Sequence, residues 1–312
     1  MKTLHLKFCL LALFVSAGWW VVKTGIDTAG PIKRIDPNAE IADLEEAAKE
    51  LDVYLIGTSH GLAFRDLGLG DDVSIVNASQ SGLGVAPLIV KCRHALNQIQ
   101  KCRNVVIVID EWQISSAGRS EGSHAFDAFE YDRPFLNEML GEDFQRAVVA
   151  RYVFGLFGNL PNLVYERAVG FKSEERETQA FLGEQQWGGP IDPKKAAGRV
   201  YKLYRDSSLN DAHRLSEKLA MFSDDLIAGN KAVKQVIFIF PPLPQIFRDK
   251  TPEAAKQYKN ILLKALEGSE HTILDLSDIW PDEQYYSDED HLTSDAARKL
   301  GQEKILQHLH LD

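Results

Sequence analysis

Five short hydrophobic runs, separated by more polar stretches, set the overall pattern of this chain. Each run holds four or five residues, is rich in aliphatic side chains and contains few polar positions. A strand covered on both faces has an almost continuous apolar sequence, whereas a half-exposed strand alternates apolar and polar residues. The runs therefore predict strands of a buried parallel sheet. They are Val53–Ile56, Val73–Val76, Val105–Ile109, Val236–Phe240 and Thr272–Leu276.

Segments with helical spacing of apolar residues lie before, between and after these runs. Their apolar positions recur every three or four residues, which places them on one helix face. Alternation of strands and helices is typical of a parallel sheet with helices on both faces. We predict a three-layer α/β domain with a five-stranded parallel sheet. The predicted helices are Ala39–Leu51, Ala86–Ile99, Leu209–Ile227, Pro252–Leu266 and Thr293–Leu309.

The alternation breaks between Gln113 and Lys234, a stretch much longer than one crossover between parallel strands requires. We therefore predict a large, mainly helical insertion over about residues 113–234, after the third strand. Its first half is dense in phenylalanine and tyrosine. Aromatic residues at this density usually form a small helical subcore. The alternative is an apolar wall for an acyl chain or a platform for stacking sugars.

The start of the chain has the pattern of an export signal or a membrane anchor. Lys7 precedes an uncharged run over residues 8–22, and the run ends in the pair Trp19 and Trp20 and two valines. Paired tryptophans suit a membrane interface better than a cleavage site. We favour an uncleaved anchor, with a cleaved signal peptide or a buried helix of a cytosolic protein as the alternatives.

These features divide the chain into an anchor or signal peptide (residues 1–23), a linker (residues 24–38) and a globular domain (residues 39–312). The positive residues before the apolar run favour a cytoplasmic N-terminus. The domain is then expected in the periplasm or outside the cell, anchored to the inner membrane. Secretion after signal cleavage is the alternative localisation.

Charge and cysteine content exclude some classes of partner. The formal net charge is −10 at pH 7 and there is no dense block of lysine and arginine. Nucleic-acid binding normally requires a basic patch, so no nucleic-acid partner is expected.

Cys92 and Cys102 either pair in an oxidising compartment or remain buried thiols. No metal-ligand spacing of Cys or His occurs, so neither a metal nor another cofactor is predicted.

Two polar motifs carry the candidate chemistry. Gly57–His60 (Gly-Thr-Ser-His) follows the first predicted strand, and Asp288–His291 (Asp-Glu-Asp-His) precedes the last predicted helix. A serine nucleophile requires a base, and an imidazole base requires a carboxylate to orient it. The first motif supplies Ser59 at a sheet edge where α/β proteins bind ligands. The second motif supplies His291 and Asp288.

The order of these motifs resembles that of the SGNH/GDSL hydrolase superfamily of flavodoxin-like serine esterases and acyltransferases. The Gly-Asp-Ser block of that family is similar to Gly57–Ser59, with Thr58 in place of the aspartate. The Asn-x-Gly-x-x-Gly block after strand 2 is similar to Asn77–Gly82. The Asp-x-x-His block matches Asp288–His291. Three blocks at the expected strand ends are more specific than one glycine-serine motif.

The third block departs from the family. Its Gly-x-Asn-Asp is replaced by Ile109–Trp112, which lacks the asparagine that donates to the oxyanion, and Asp110 in this block has no assigned role. Trp112, the pair Pro241 and Pro242, and the predicted anchor are more similar to a membrane-anchored branch. That branch includes the D-alanyl transfer protein of teichoic acid synthesis.

The resemblance implies a role for each matching residue. Ser59 is the expected nucleophile, His291 the base and Asp288 its orienting carboxylate, with the two acids between Asp288 and His291 as competing carboxylates. The backbone N–H groups of Ser59 and Gly82 are the expected oxyanion donors. His60 is expected to line or support the pocket rather than to act as the base.

Together these features predict a cell-envelope serine esterase or O-acyltransferase. The expected partners are an acylated extracytoplasmic polysaccharide or an acyl donor, the membrane, and possible envelope-biosynthesis proteins. Transfer and hydrolysis share an acyl-enzyme, so both remain open. The alternative is a catalytically degenerate relative that binds a glycan or scaffolds an envelope assembly, because the third block lacks its asparagine.

Overall fold

The computed structural model describes eight segments of the chain. The described segments are residues 50–65, 73–80, 82–99, 101–114, 190–204, 209–229, 233–268 and 270–311. The predicted anchor, the linker and the aromatic half of the insertion lie outside them. Within these segments, no helix combines the length and the apolar character needed to cross a membrane.

One sheet of five parallel strands forms the centre of the domain. The strands are β1 (Glu50–Gly57), β2 (Ile75–Asn77), β3 (Lys101–Val108), β4 (Gln235–Phe240) and β5 (Thr272–Asp275). Their order is β2-β1-β3-β4-β5, and every neighbouring pair is parallel. This is the flavodoxin-like strand order. The prediction of a five-stranded parallel α/β fold is confirmed.

Helices cover both faces of this sheet. In the described segments the α-helices are α1 (Ser59–Leu62), α2 (Val85–Gln98), α3 (Pro193–Tyr204), α4 (Leu209–Gly229), α5 (Gln245–Arg248), α6 (Glu253–Leu266) and α7 (Ser294–Leu300). Alternate residues of β1, β3 and β4 pack with α7 in one apolar cluster. On the opposite face, α4 packs against α2 and α6. The central strands are therefore buried on both sides, as their continuous apolar sequences predicted.

Gly57, the last residue of β1, allows a close approach that positions the next turn. It pairs with Val108 at the end of β3. A Cβ atom at Gly57 would collide with the carbonyl of Val108 and would lie 2.7 Å from its Cβ. A larger residue would therefore separate the two strand ends. Because α1 follows directly, Ser59 depends on this glycine for its position.

The predicted helix Ala39–Leu51 is wrong at its carboxyl end. Glu50 and Leu51 belong to β1 and pair with Lys101 and Cys102 of β3. Leu51 is only 3% exposed, because the pairing extends the sheet towards the start of β1. A single apolar leucine fits a helix face and a strand equally well, so its periodicity was ambiguous.

The last helix is shorter than predicted. Thr293 caps it, and its Oγ1 accepts a hydrogen bond from the N–H of Ala296 (3.2 Å). The α-helix ends at Leu300, and the chain continues as a π-helical turn over Gly301–Ile305 and a 3₁₀ turn over Leu306–His308. The prediction of one helix to Leu309 missed this change of winding.

The described part of the insertion is helical, as predicted. It comprises α3 and α4, and α4 also completes the crossover into β4 by packing on the helical layer. The insertion proper therefore ends before Leu209. Within it, α3 is the described element that reaches the carboxyl ends of the strands.

The C-terminal residues are fastened to the opposite edge of the sheet, where β1 and β3 begin. The side-chain amide of Asn104 donates to the carbonyls of Asp52 and His310, both at 2.8 Å. The N–H of His310 donates back to Oδ1 of Asn104 (2.9 Å), and Nη1 of Arg103 donates to the carbonyl of Leu311 (3.0 Å). The start of β1 and the last described residues, His310 and Leu311, therefore lie at the same edge.

Cys92 in α2 and Cys102 in β3 are both buried and free. Burial raises the pKa of both thiols, and that of Cys102 reaches about 12. Of the two alternatives for this pair, the structure has the buried thiols.

Candidate active site

Ser59 stands at the carboxyl end of β1. Thr58 caps α1, because its Oγ1 accepts a hydrogen bond from the N–H of His60 (3.3 Å). The same Oγ1 donates to Oδ2 of Asp110 (2.6 Å), which follows β3. Ser59 is therefore fixed beside two strand ends, at the edge where parallel α/β sheets bind ligands.

A continuous hydrogen-bonded chain joins Ser59, His291 and Asp288. Nε2 of His291 lies 2.7 Å from Oγ of Ser59, although 232 sequence positions separate the two residues. Nδ1 of His291 lies 2.9 Å and 2.8 Å from the two carboxylate oxygens of Asp288. The structure thus brings together all three residues that the sequence predicted as nucleophile, base and orienting carboxylate.

The loop that carries His291 is held by its own backbone. Oδ1 of Asp288 accepts hydrogen bonds from the N–H groups of Asp290 (3.0 Å) and His291 (2.8 Å). These bonds close a tight turn over Asp288–His291. The turn directs both the imidazole and the Asp290 carboxylate towards the strand ends.

Asp288 is ionised and fixes the tautomer of His291. Burial alone would raise the pKa of Asp288, but the hydrogen bond and the charge of His291, together with two backbone N–H groups, hold its pKa well below the usual range. An ionised carboxylate only accepts hydrogen bonds, so Nδ1 of His291 carries the proton. Nε2 then presents a lone pair to Ser59, as a general base requires.

A second histidine, His60, lies beside the first. The ring centroids of His60 and His291 are 4.9 Å apart. Nδ1 of His60 lies 2.7 Å from Oδ1 of Asp110, and its Nε2 lies 3.7 Å from Oδ2 of Asp290. Burial alone would lower the pKa of His60, but the charges of Asp110 and Asp290 and the hydrogen bond to Asp110 raise it to about 9. His60 is therefore an imidazolium at neutral pH.

Asp110 directly follows β3, in the block Ile109–Trp112 that contains no asparagine. Burial alone would raise the pKa of Asp110, but the charge of His60 and hydrogen bonds from His60 and Thr58 lower it. Both carboxylate oxygens are occupied by these partners. An ionised carboxylate has no proton to donate, so Asp110 cannot replace the asparagine as an oxyanion donor.

Asp290 lies between two histidines and an arginine. It is 1% exposed, and Oδ1 lies 3.1 Å from Nδ1 of His291. Its Oδ2 accepts a hydrogen bond from Nε of Arg199 (3.1 Å), a residue of α3. Together with His60, these contacts surround a buried carboxylate with positive or proton-donating groups. Asp290 was predicted only as a competitor for Asp288, yet it points into the site beside it.

The loop that contains Gly82 is tied to α1 by Asn77. The side-chain amide of Asn77 donates to the carbonyl of Gly61 (2.8 Å), and its Oδ1 accepts from the N–H of Ser79 (3.0 Å). Gly82 has a φ of 73°, a left-handed conformation that glycine adopts without a steric penalty. The role of its N–H as an oxyanion donor stays a prediction.

The segment after β3 connects this loop to the insertion. Gln113 accepts from the N–H of Asp110 (2.7 Å) and donates to the carbonyl of Leu83 (2.6 Å). The hydroxyl of Tyr204, in α3, donates to Oε1 of Glu111 (2.6 Å). Burial raises the pKa of Glu111 and, with the charge of Glu111, that of Tyr204. Helix α3 is therefore anchored beside the strand ends at two points, Tyr204 and Arg199.

His60, Asp290 and His291 also offer a possible ligand set for a cation. One ligand atom from each lies within 4.8 Å of the others. A metal would have to displace the proton on Nε2 of His60, whose pKa is about 9. It would also share Asp290 with the Arg199 guanidinium. These charges favour an ion-pair network over a metal site.

Sequence analysis expected His60 at the pocket and Asp290 as a competing carboxylate, but it gave Asp110 no role and missed Arg199. His60 and Asp110 did leave a signal, because each is a polar residue directly after a strand end or the nucleophile. Arg199 left none, because its contact with Asp290 spans 91 positions and depends on how α3 packs.

No family model matches the chain, and no curated protein has a significant match to it. The roles of Ser59, His291 and Asp288 therefore depend on the geometry described above and on the order of motifs along the chain.

Proposed function

We propose that this protein is a serine esterase or O-acyltransferase that acts on acyl esters of an extracytoplasmic polysaccharide. The observation that carries the proposal is the hydrogen-bonded chain from Asp288 through His291 to Oγ of Ser59. A nucleophile, a base and an orienting carboxylate in this arrangement recur on unrelated folds with the same chemistry. The flavodoxin-like strand order supports assignment to the SGNH/GDSL superfamily.

The geometry supports the following acyl transfer. Nε2 of His291 takes the proton of Ser59 as Oγ attacks the ester carbonyl carbon. The backbone N–H groups of Ser59 and Gly82 stabilise the oxyanion, and collapse expels the alcohol after His291 returns the proton to it. Water or a polymer hydroxyl then attacks the acyl carbon while Nε2 of His291 takes its proton, and His291 returns this proton to Oγ of Ser59 as the acyl–Oγ bond breaks. Asp288 stabilises the imidazolium in both halves.

A fluorophosphonate probe tests this proposal directly. We expect the full-length protein to be phosphonylated at Ser59, as shown by mass spectrometry of the peptide that contains this residue. Labelling should disappear in Ser59→Ala. It should persist in Ser216→Ala, a matched control in which a buried serine of α4 is changed. Labelling at another residue, or none in a folded protein, would contradict the assignment.

One observation favours a second candidate function. The third block, Ile109–Trp112, contains no oxyanion-donating asparagine, and its Asp110 is an acceptor with both oxygens occupied. One such donor contributes about 10²–10³-fold in rate. A degenerate protein that binds a glycan or scaffolds an envelope assembly is therefore the alternative. It predicts no acylation of Ser59 by any activated ester.

Membrane attachment through residues 1–23 is a separate proposal. Full-length protein should stay with the membrane fraction after washing at high salt or alkaline pH. A chain that starts near Asn38 should be soluble and should still react with the probe, because the described fold begins after this point. Release of the full-length protein by the washes would contradict an anchor. A mature N-terminus at or beyond Trp19 would indicate a cleaved signal.

A further inference from the structure

The site contains a buried row of alternating charges beside His291. Asp110, His60, Asp290 and Arg199 follow one another, with separations of 2.7, 3.7 and 3.1 Å between successive charged groups. The acyl-transfer steps above use none of the four. Three of them are almost completely buried, and a buried charge normally requires a partner.

We propose that Asp290 is a second positioning carboxylate for the base His291 and is itself held in place by His60 and Arg199. This inference rests on the proposed function, because it identifies residues that position His291 as the base. Asp288 contacts Nδ1 of His291 with both oxygens, whereas Asp290 offers Oδ1 alone, at 3.1 Å. Asp288 thus orients the Nδ1 proton, and Asp290 adds a negative charge beside the ring.

His60 and Arg199 keep Asp290 from displacing Asp288. Arg199 holds Oδ2 of Asp290 by a hydrogen bond, so only Oδ1 is left to face His291. Nδ1 of His60 is committed to Asp110, which leaves its Nε2 directed at Asp290 across 3.7 Å. That atom has no hydrogen-bond acceptor within the described residues, so the contact is an ion pair.

The row of alternating charges also links His291 to the insertion. Arg199 comes from α3, and the same helix is anchored by the hydrogen bond from Tyr204 to Glu111. Tyr204 also lies in the electrostatic field of Asp290. Among the described residues, the charged or titratable groups that face Asp290 are therefore His60, His291, Arg199 and Tyr204, together with the Asp288 carboxylate, which contacts the same Nδ1 of His291. A displacement of α3 would remove the hydrogen bond that fixes the Asp290 carboxylate.

Opposite charge changes on Asp290 and its partner provide the test. In Asp290→Asn the imidazolium of His291 loses a negative neighbour, so the acid limb of the acylation pH profile should move to lower pH, by about one pH unit. In Arg199→Gln a positive neighbour is lost, so the limb should move to higher pH. Arg298→Gln on α7 is the control, because Arg298 is 47% exposed and pairs with Asp295 instead.

A second measurement needs no activity. Nitrogen-15 NMR of the full-length protein should show His60 protonated up to about pH 9. The pKa of His60 should fall in Asp290→Asn, which loses an anion, and rise in Arg199→Gln, which loses a cation. Arg199 is 31% exposed, so its variant should fold even if Asp290→Asn does not.

Opposite displacements in both measurements support the inference. Loss of rate without movement of the acid limb, or movement in the same direction in both variants, overturns it. If the wild-type protein forms no acyl-enzyme, the proposed function itself is wrong. The His60 titration then decides separately whether Asp290 and Arg199 form the charge network, and an unchanged titration in both variants would refute it.

Discussion

Replacing His291 with alanine should lower the rate of Ser59 acylation on the order of 10⁴-fold or more. Among the described residues, no other group lies within hydrogen-bonding distance of Oγ to take its proton. The rate is best measured by single-turnover release of nitrophenol from an aryl acetate. Circular dichroism and thermal unfolding should show an intact fold. His213→Ala, which changes an exposed histidine of α4, is the matched control.

Asp288→Asn should cost less than His291→Ala. The imidazole would remain in place, and Asp290 would still present Oδ1 3.1 Å from its Nδ1. Only the best-aligned carboxylate would be lost. Turnover in His291→Ala equal to that of the wild type would remove the base from the mechanism, whatever the effect at Asp288.

Replacing Asp110 with alanine should destabilise the fold by about 3–5 kcal/mol, because the His60 imidazolium would be buried without its closest partner. Thr58 would also lose its acceptor. Urea denaturation of the full-length protein measures the change. The double variant Asp110→Ala/His60→Gln should recover part of the loss, since the uncompensated charge is then absent. Equal stability of the single and double variants would contradict a buried ion pair.

The same pair predicts how stability depends on pH. The pKa of His60 is raised from 6.5 to about 9 in the folded state, so its contribution is complete below pH 6.5 and is lost as pH rises through about 9. A shift of this size corresponds to roughly 3 kcal/mol. The pKa of Asp110 is lowered, so its contribution is present above pH 3.8 and is lost as pH falls through the folded value. The alkaline loss should be much smaller in the double variant.

The parallel fold could be predicted from sequence because its determinants are local. Continuous apolar runs mark strands buried on both faces, and β1, β3 and β4 are such strands. Ser59, Asp288 and His291 could also be predicted from the sequence, because each follows or precedes a recognisable element. Leu51 was misassigned because one leucine satisfies both periodicities, and only its pairing with Cys102 decides between them.

The surroundings of the base depend on tertiary packing and could not be predicted in the same way. The acidic run Asp288–Asp290 predicted Asp288 as the orienting carboxylate with two competitors, and only the turn closed by Asp288 shows that Asp290 faces inwards. Arg199 belongs to an insertion, and nothing in its own segment indicates a contact with the loop Asp288–His291. The lost asparagine predicted a weakened oxyanion hole, but not that Asp110 would hold a charged His60.

The fastening of His310 and Leu311 to the start of β1 and β3 determines how the domain can be attached to a surface. The eight residues of β1 span about 26 Å, and Ser59 lies beyond their far end. A tether at either terminus of the described fold therefore leaves from the edge opposite Ser59. A bead or a fused protein attached directly at Glu50 or Leu311 would leave the carboxyl ends of the strands facing away from the support.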